Sequence, residues 1–188
     1  MILAITLGFA LTGCMDEGSR ENIQETQQET QQDTQQESKQ ESFGEIAVGD
    51  MAPDFTVELT NGESVTLSEE QDKVVLLNFW ATWCGPCVNE MPALERLQEE
   101  YGDQLLVLAV NSMEDKSTVD SIVEEKGYTF SIAYDVNGEI GIKYPTSGIP
   151  YTLIIGKDGT VKQIFVGAAD AETQYMYYKN VIETVLKE

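Results

Sequence analysis

Residues 73–80 read Lys-Val-Val-Leu-Leu-Asn-Phe-Trp, an almost unbroken apolar run. A strand with one face in water alternates polar and apolar residues. A continuous run is expected for a strand covered on both faces. The surrounding segments supply the cover. Residues 55–59 and 64–67 flank Asn61-Gly62, a tight-turn dipeptide, and read as a hairpin. After the run comes a helix with Met91, Leu94, Leu97 and Tyr101 on one side, closed by Gly102. Residues 105–110 predict a second buried strand, 117–126 a short amphipathic helix ending at Gly127, and 130–134 a third strand. Residues 138–144 suit a short helical turn. Residues 151–155 and 161–166 flank Lys157-Asp158-Gly159-Thr160, a second hairpin signal, and 171–187 form the closing helix. Strand–helix–strand order, then a hairpin and a helix, predicts an α/β fold with a mixed sheet.

The 188 residues suffice for one domain, 43–188, plus a tail. Residues 2–11 are apolar but too short to span a bilayer, which takes roughly 20 residues. They suit the apolar part of a signal peptide, although no Lys or Arg precedes them. The end of the run, Leu11-Thr12-Gly13-Cys14, resembles the lipobox of bacterial lipoproteins. That resemblance implies cleavage after residue 13 and a diacylglycerol on the sulfur of Cys14. It places the protein on the outer face of the bacterial cytoplasmic membrane, with Cys14 unavailable for a disulfide. The plainer alternative is a buried strand with a core cysteine. From Cys14 the chain continues to residue 42 as a Gln/Glu-rich linker. Its four-residue repeat, Glu25-Thr26-Gln27-Gln28 and onward, contains no apolar residue and has nothing to bury. As a flexible coil it would span on the order of 30 Å; as a helix it would be marginal.

The formal charge is −22, and most of the acidity lies in 43–188. This balance opposes binding to nucleic acid phosphates, and anionic lipid headgroups would repel the domain. Basic partners would be attracted. Histidine is absent. This removes Ser/His/Asp and Cys/His nucleophile systems, histidine zinc sites and C-x-x-C-H haem attachment.

The remaining cysteines, Cys84 and Cys87, stand two residues apart after the apolar strand. As a staple, so short a ring removes only about 2 kcal/mol of chain entropy. As a zinc clip, two ligands fall short of the four that a structural site takes. Redox chemistry fits better. The pair opens a helix, where free N–H groups and the helix dipole stabilise a thiolate. Cys84, at the exposed start, is the expected attacking sulfur, and Cys87, about one turn in, the resolving one. Gly85 and Pro86 shape the first turn. No metal or other cofactor is expected.

Trp83-Cys84-Gly85-Pro86-Cys87 resembles the active-site motif of the thioredoxin superfamily. The approach from Val74, and Glu90-Met91-Pro92 after it, resemble the membrane-anchored TlpA/ResA branch; the likeness runs from about residue 47 to the C-terminus. It implies a thioredoxin fold, a mixed central sheet flanked by helices, with an added N-terminal β-hairpin. Gly148-Ile149-Pro150-Tyr151 resembles the cis-proline loop of the family. There Ile149 would pair its backbone with a bound polypeptide, and Pro150 would help keep metals off the sulfurs. Trp83 would add an apolar substrate contact, and Trp80 belongs to the core. Pro92 should kink the helix. In the ResA-like branch a glutamate at the position of Glu90 assists proton movement; the plainer alternative is a solvated helix residue. Asn78 departs from ordinary thioredoxins, which carry a buried aspartate there, and an amide cannot titrate.

The resemblance implies an extracytoplasmic thiol–disulfide oxidoreductase that reduces disulfides of exported proteins, apocytochrome c or similar. A CcdA-type membrane protein would regenerate the dithiol, and a monomer is expected. The Gly-Pro dipeptide resembles reducing thioredoxins, with potentials near about −270 mV. A disulfide-forming oxidase, a thiol peroxidase and a non-catalytic metal-binding lipoprotein are the alternatives, the last weakened by the missing histidines.

Overall fold

The structure, a computed structural model, describes residues 44–188. The expected signal peptide, Cys14 and the linker lie outside the described residues. Strands β1 (Thr56–Glu58) and β2 (Ser64–Thr66) pair antiparallel around Asn61-Gly62. Gly62 has φ +85°, the left-handed geometry that this turn demands of its glycine. The hairpin arm is shorter than its sequence suggests. Leu59 leaves it to bridge Ala133, and the Thr60 N–H donates to the Ile132 carbonyl at 2.8 Å. The hairpin is thereby fastened to the main sheet.

That sheet contains β3 (Val74–Trp80), β4 (Leu105–Ser112), β5 (Ser131–Asp135), β6 (Tyr151–Ile155) and β7 (Val161–Val166) in the order β5-β4-β3-β6-β7. β3, β4 and β5 run parallel; β6 and β7 are antiparallel to their neighbours. The helices are α1 (Gly85–Tyr101), α2 (Lys116–Lys126) and α3 (Ala171–Val185). The expected α/β architecture with its mixed sheet and added hairpin is therefore present.

All seven residues of β3 are buried, as a central strand covered twice requires. Its side chains alternate between two cores. Val74, Leu76 and Trp80 pack with Met91, Leu94 and Leu97 of α1 and Tyr178 and Ile182 of α3. Val75, Leu77 and Phe79 pack with Phe55, Val57 and Leu67 around the hairpin and with Tyr144. Asn78 has the parity of Leu76 and Trp80, so this alternation aims its amide at the helices. The register pairs Asn78 with Thr152 on β6, which puts those two side chains on one face. Helix α1 continues through Pro92. The proline lies on the exposed side of the helix.

Candidate active site

Cys84 caps α1. Its backbone is extended, and its Sγ accepts the Cys87 N–H at 3.3 Å. The two cysteines form a disulfide with S–S 2.04 Å and Cα–Cα 5.3 Å. Pro86 occupies the first turn, where its missing N–H costs no helical bond. Trp83 is 74 % exposed, and Gly85 and Pro86 are exposed beside it. The sequence places Cys84 at an exposed helix start, but in the disulfide only 6 % of it is exposed. Its sulfur lies 3.8 Å from the Ile149 carbonyl oxygen. Cys87 is wholly covered, so Cys84 is still the sulfur nearer to solvent. The Ile149–Pro150 bond is cis, as the motif implies. The loop thus brings its carbonyl against the disulfide.

Glu90 lies one turn beyond Cys87 and is completely buried, not solvated. Its carboxylate bonds to Asn78 and Tyr178. Asn78 Nδ2 donates to Glu90 Oε1 at 2.8 Å and to Thr152 Oγ1 at 2.8 Å. The Tyr178 hydroxyl is 2.9 Å from both Glu90 Oε2 and Thr152 Oγ1. Burial pushes the Glu90 carboxyl up; the Tyr178 and Asn78 bonds pull it partly back, leaving it at about 7. Asn78 therefore acts as a donor to Glu90, and the carboxyl of this cluster sits on α1, not on β3.

A second carboxylate braces the loop before Cys84. Glu114 Oε2 accepts the Thr82 N–H and Asn111 Nδ2, each at 2.7 Å, and Glu114 Oε1 accepts the Thr82 hydroxyl at 2.5 Å. Burial pushes this carboxyl up too, but the three donors together outweigh it and hold it below the ordinary range. Beside the cis-proline loop lies an open apolar groove of about 500 Å³, lined by Phe79, Met113, Ile142, Tyr144, Pro145 and Ile149 among others. Met113 and Ile142 are 72 % and 68 % exposed. Ile149 belongs both to this groove and to the disulfide contact. Among the described residues, no cluster of three or more Cys, Asp or Glu could hold a metal ion.

The structure brings the Ile149 carbonyl of the cis-proline loop against the disulfide and puts Glu90 in a buried cluster with Asn78, Thr152 and Tyr178. Sequence reasoning expects the first and leaves open whether Glu90 faces the cysteines. It misses Thr152, Tyr178, Thr82, Asn111 and Glu114. Thr152 carried a signal, a polar residue inside a buried strand run. Tyr178 carried none, because its ring belongs to the apolar stripe of α3 together with Tyr175, Ile182 and Val185.

The sequence matches the Redoxin family over residues 47–182. It is 42 % identical over 125 residues to the thioredoxin-like protein YneN of Bacillus subtilis, covering 65 % of this chain and 73 % of that one. It is 41 % identical over 128 residues to the thiol–disulfide oxidoreductase ResA of Geobacillus kaustophilus, covering 68 % and 74 %. Among solved structures, a Chlorobium tepidum protein described as of the DsbE thiol:disulfide interchange type superposes with a TM-score of 0.70. That pair shares 30 % identity over 75 % of this chain and 99 % of the other. With the disulfide, its helix cap and the adjoining loop in place, the chain belongs to the Redoxin family, as a ResA-like thiol–disulfide oxidoreductase.

Proposed function

We propose that the protein reduces disulfides of exported polypeptides, apocytochrome c or another cysteine-bearing chain, from the outer face of the bacterial cytoplasmic membrane. The observation that carries this reading is the asymmetric disulfide at the α1 N-terminus beside the Ile149 carbonyl. The Cys84 thiolate, favoured by the helix end, attacks one sulfur of the substrate disulfide and expels the other as a thiolate. The Cys87 thiolate then attacks Cys84 Sγ, closing the 84–87 disulfide and expelling the second substrate thiolate. Two electrons pass to the substrate, whose thiolates take up protons. A membrane dithiol of the CcdA type restores the reduced pair.

Trp83, Gly85, Pro86 and the half-buried Ile149 would form the rim on which a substrate segment lies, backed by the buried Pro150, with an apolar side chain in the neighbouring groove. Residues 1–13 act as a lipoprotein signal, Cys14 as the lipid attachment site and 14–42 as the tether of the domain 43–188. Support for the location comes from the lipobox-like sequence and the likeness to ResA. Insulin reduction tests the reaction: Cys84→Ser abolishes it, and Cys87→Ser traps the substrate as a mixed disulfide on Cys84. Unchanged turnover by Cys84→Ser would refute the proposal.

A further inference from the structure

We propose that Tyr178 and Thr152 are positioning residues that let Glu90 take up and release a proton inside the closed core, by turning two hydroxyl hydrogens and moving no heavy atom. The hydrogen count supports this. Both Asn78 Nδ2 hydrogens are committed, one to Glu90 Oε1 and one to Thr152 Oγ1. With Glu90 ionised, Tyr178 donates to Glu90 Oε2, and the Thr152 hydroxyl donates to Tyr178. With Glu90 protonated on Oε2, the acid donates to Tyr178, and Tyr178 turns to donate to Thr152 Oγ1. The same contacts serve both states, and only the Thr152 hydroxyl hydrogen gives up its partner. A buried carboxyl normally gains a proton at the expense of its donors. Here the donor becomes an acceptor.

Among the described residues, no second carboxyl and no amine hydrogen-bonds to this cluster. Around Glu90, β3 contributes Asn78 and β6 contributes Thr152; from α3 come Tyr178, whose ring meets Phe165 of β7 edge-on with centroids 5.0 Å apart, and the buried Gln174, a further hydrogen-bond partner of the Tyr178 hydroxyl. The charges along the α1–α3 contact pair among themselves, Arg96 with Glu172 and Lys179 with Glu100. The switch stands without the function proposed above; its use in disulfide exchange rests on that reading. There Glu90, one turn beyond Cys87, would hold the proton that the resolving thiol gives up.

Infrared titration of the Glu90 carboxyl in the full chain tests the switch, with Glu90→Gln as the spectral blank. Tyr178→Phe removes the donor to the ionised form and should raise the midpoint by about one pH unit. A 3-fluorotyrosine at position 178, a stronger donor of the same shape, should lower it. Thr152→Ser keeps the hydroxyl and should leave it in place. A midpoint unmoved by both changes at position 178 overturns the proposal. The pH profile of single-turnover disulfide reduction reports the link to exchange. A carboxyl midpoint that moves while the rate profile stays fixed supports the switch and overturns that link. Failure of the unmodified protein to reduce any disulfide refutes the functional reading, and the infrared result still decides the switch.

Discussion

Glu90 and Glu114 are the same residue type at the same end of the sheet, and their proton affinities move in opposite directions. Both lose water, and for both the loss of water is the largest single influence. The difference lies in the donors and in the depth. Glu114 is only partly buried and accepts three hydrogen bonds, one from a backbone N–H that cannot turn away. Glu90 is fully buried and accepts two, one of them from a hydroxyl that can reverse. A carboxylate whose donors outweigh desolvation stays charged and braces a loop. One whose donors fall short of it becomes available to protons near neutral pH. The first suits holding the turn before Cys84, the second suits proton handling behind it.

The contrast can be broken from either side. The largest effect is expected from Glu90→Gln. A folded-state value of about 7 against an ordinary 4.5 means that the native protein holds a proton the unfolded chain has lost. Wild-type stability therefore falls as pH rises from about 4.5 to 7. The variant escapes that loss, because its amide does not titrate; one of its hydrogens can donate to Tyr178 as the protonated acid does, and the second is left unpaired at a cost that does not change with pH. In urea titrations its stability relative to the wild type should rise by about 3 kcal/mol between pH 4 and pH 8. No such rise would mean that Glu90 is not held near neutrality.

Glu114→Gln should act with the opposite sign. An amide oxygen in the place of Oε2 keeps the Thr82 N–H and Asn111 bonds, and the amide nitrogen can donate to the Thr82 hydroxyl, but the charge that strengthens all three bonds is gone, so stability at pH 7 should drop by about 1–2 kcal/mol. Because the wild-type carboxyl is held low, its contribution is complete above the ordinary carboxylate range and lost as pH falls through the depressed value. The two proteins should converge in acid, and a gap that persists there would assign the loss to packing. Thr82→Val is the mildest change, since the backbone bond to Glu114 remains. A loss of about 0.5–1 kcal/mol in the same titration would confirm that the loop is braced mainly by its backbone; a loss equal to that of Glu114→Gln would shift the weight to the hydroxyl.

Much of the molecule was legible in local pattern. The almost unbroken apolar run at 73–80 identified a doubly covered strand, and two turn dipeptides identified the hairpins. The spacing of Met91, Leu94 and Leu97 identified the inner face of α1. Each signal lies within one element, where periodicity alone decides which side is buried. Cys84 and Cys87 were legible for the same reason: a four-residue motif at a strand–helix junction carries its own geometry. Its surroundings were not. Thr82 and Glu114 are 32 positions apart, and Glu90 and Tyr178 are 88 apart. No local pattern links such pairs.

What the sequence determined by itself was the order of strands and helices, the redox motif and the availability of a carboxylate one turn beyond it. Only the tertiary structure decided what that carboxylate is. Asn78 and Thr152 meet because β3 and β6 pair in one register, and Tyr178 joins them because α3 packs against α1. A proton affinity depends on the water excluded and the donors that remain. Both are properties of assembled layers, not of any single segment.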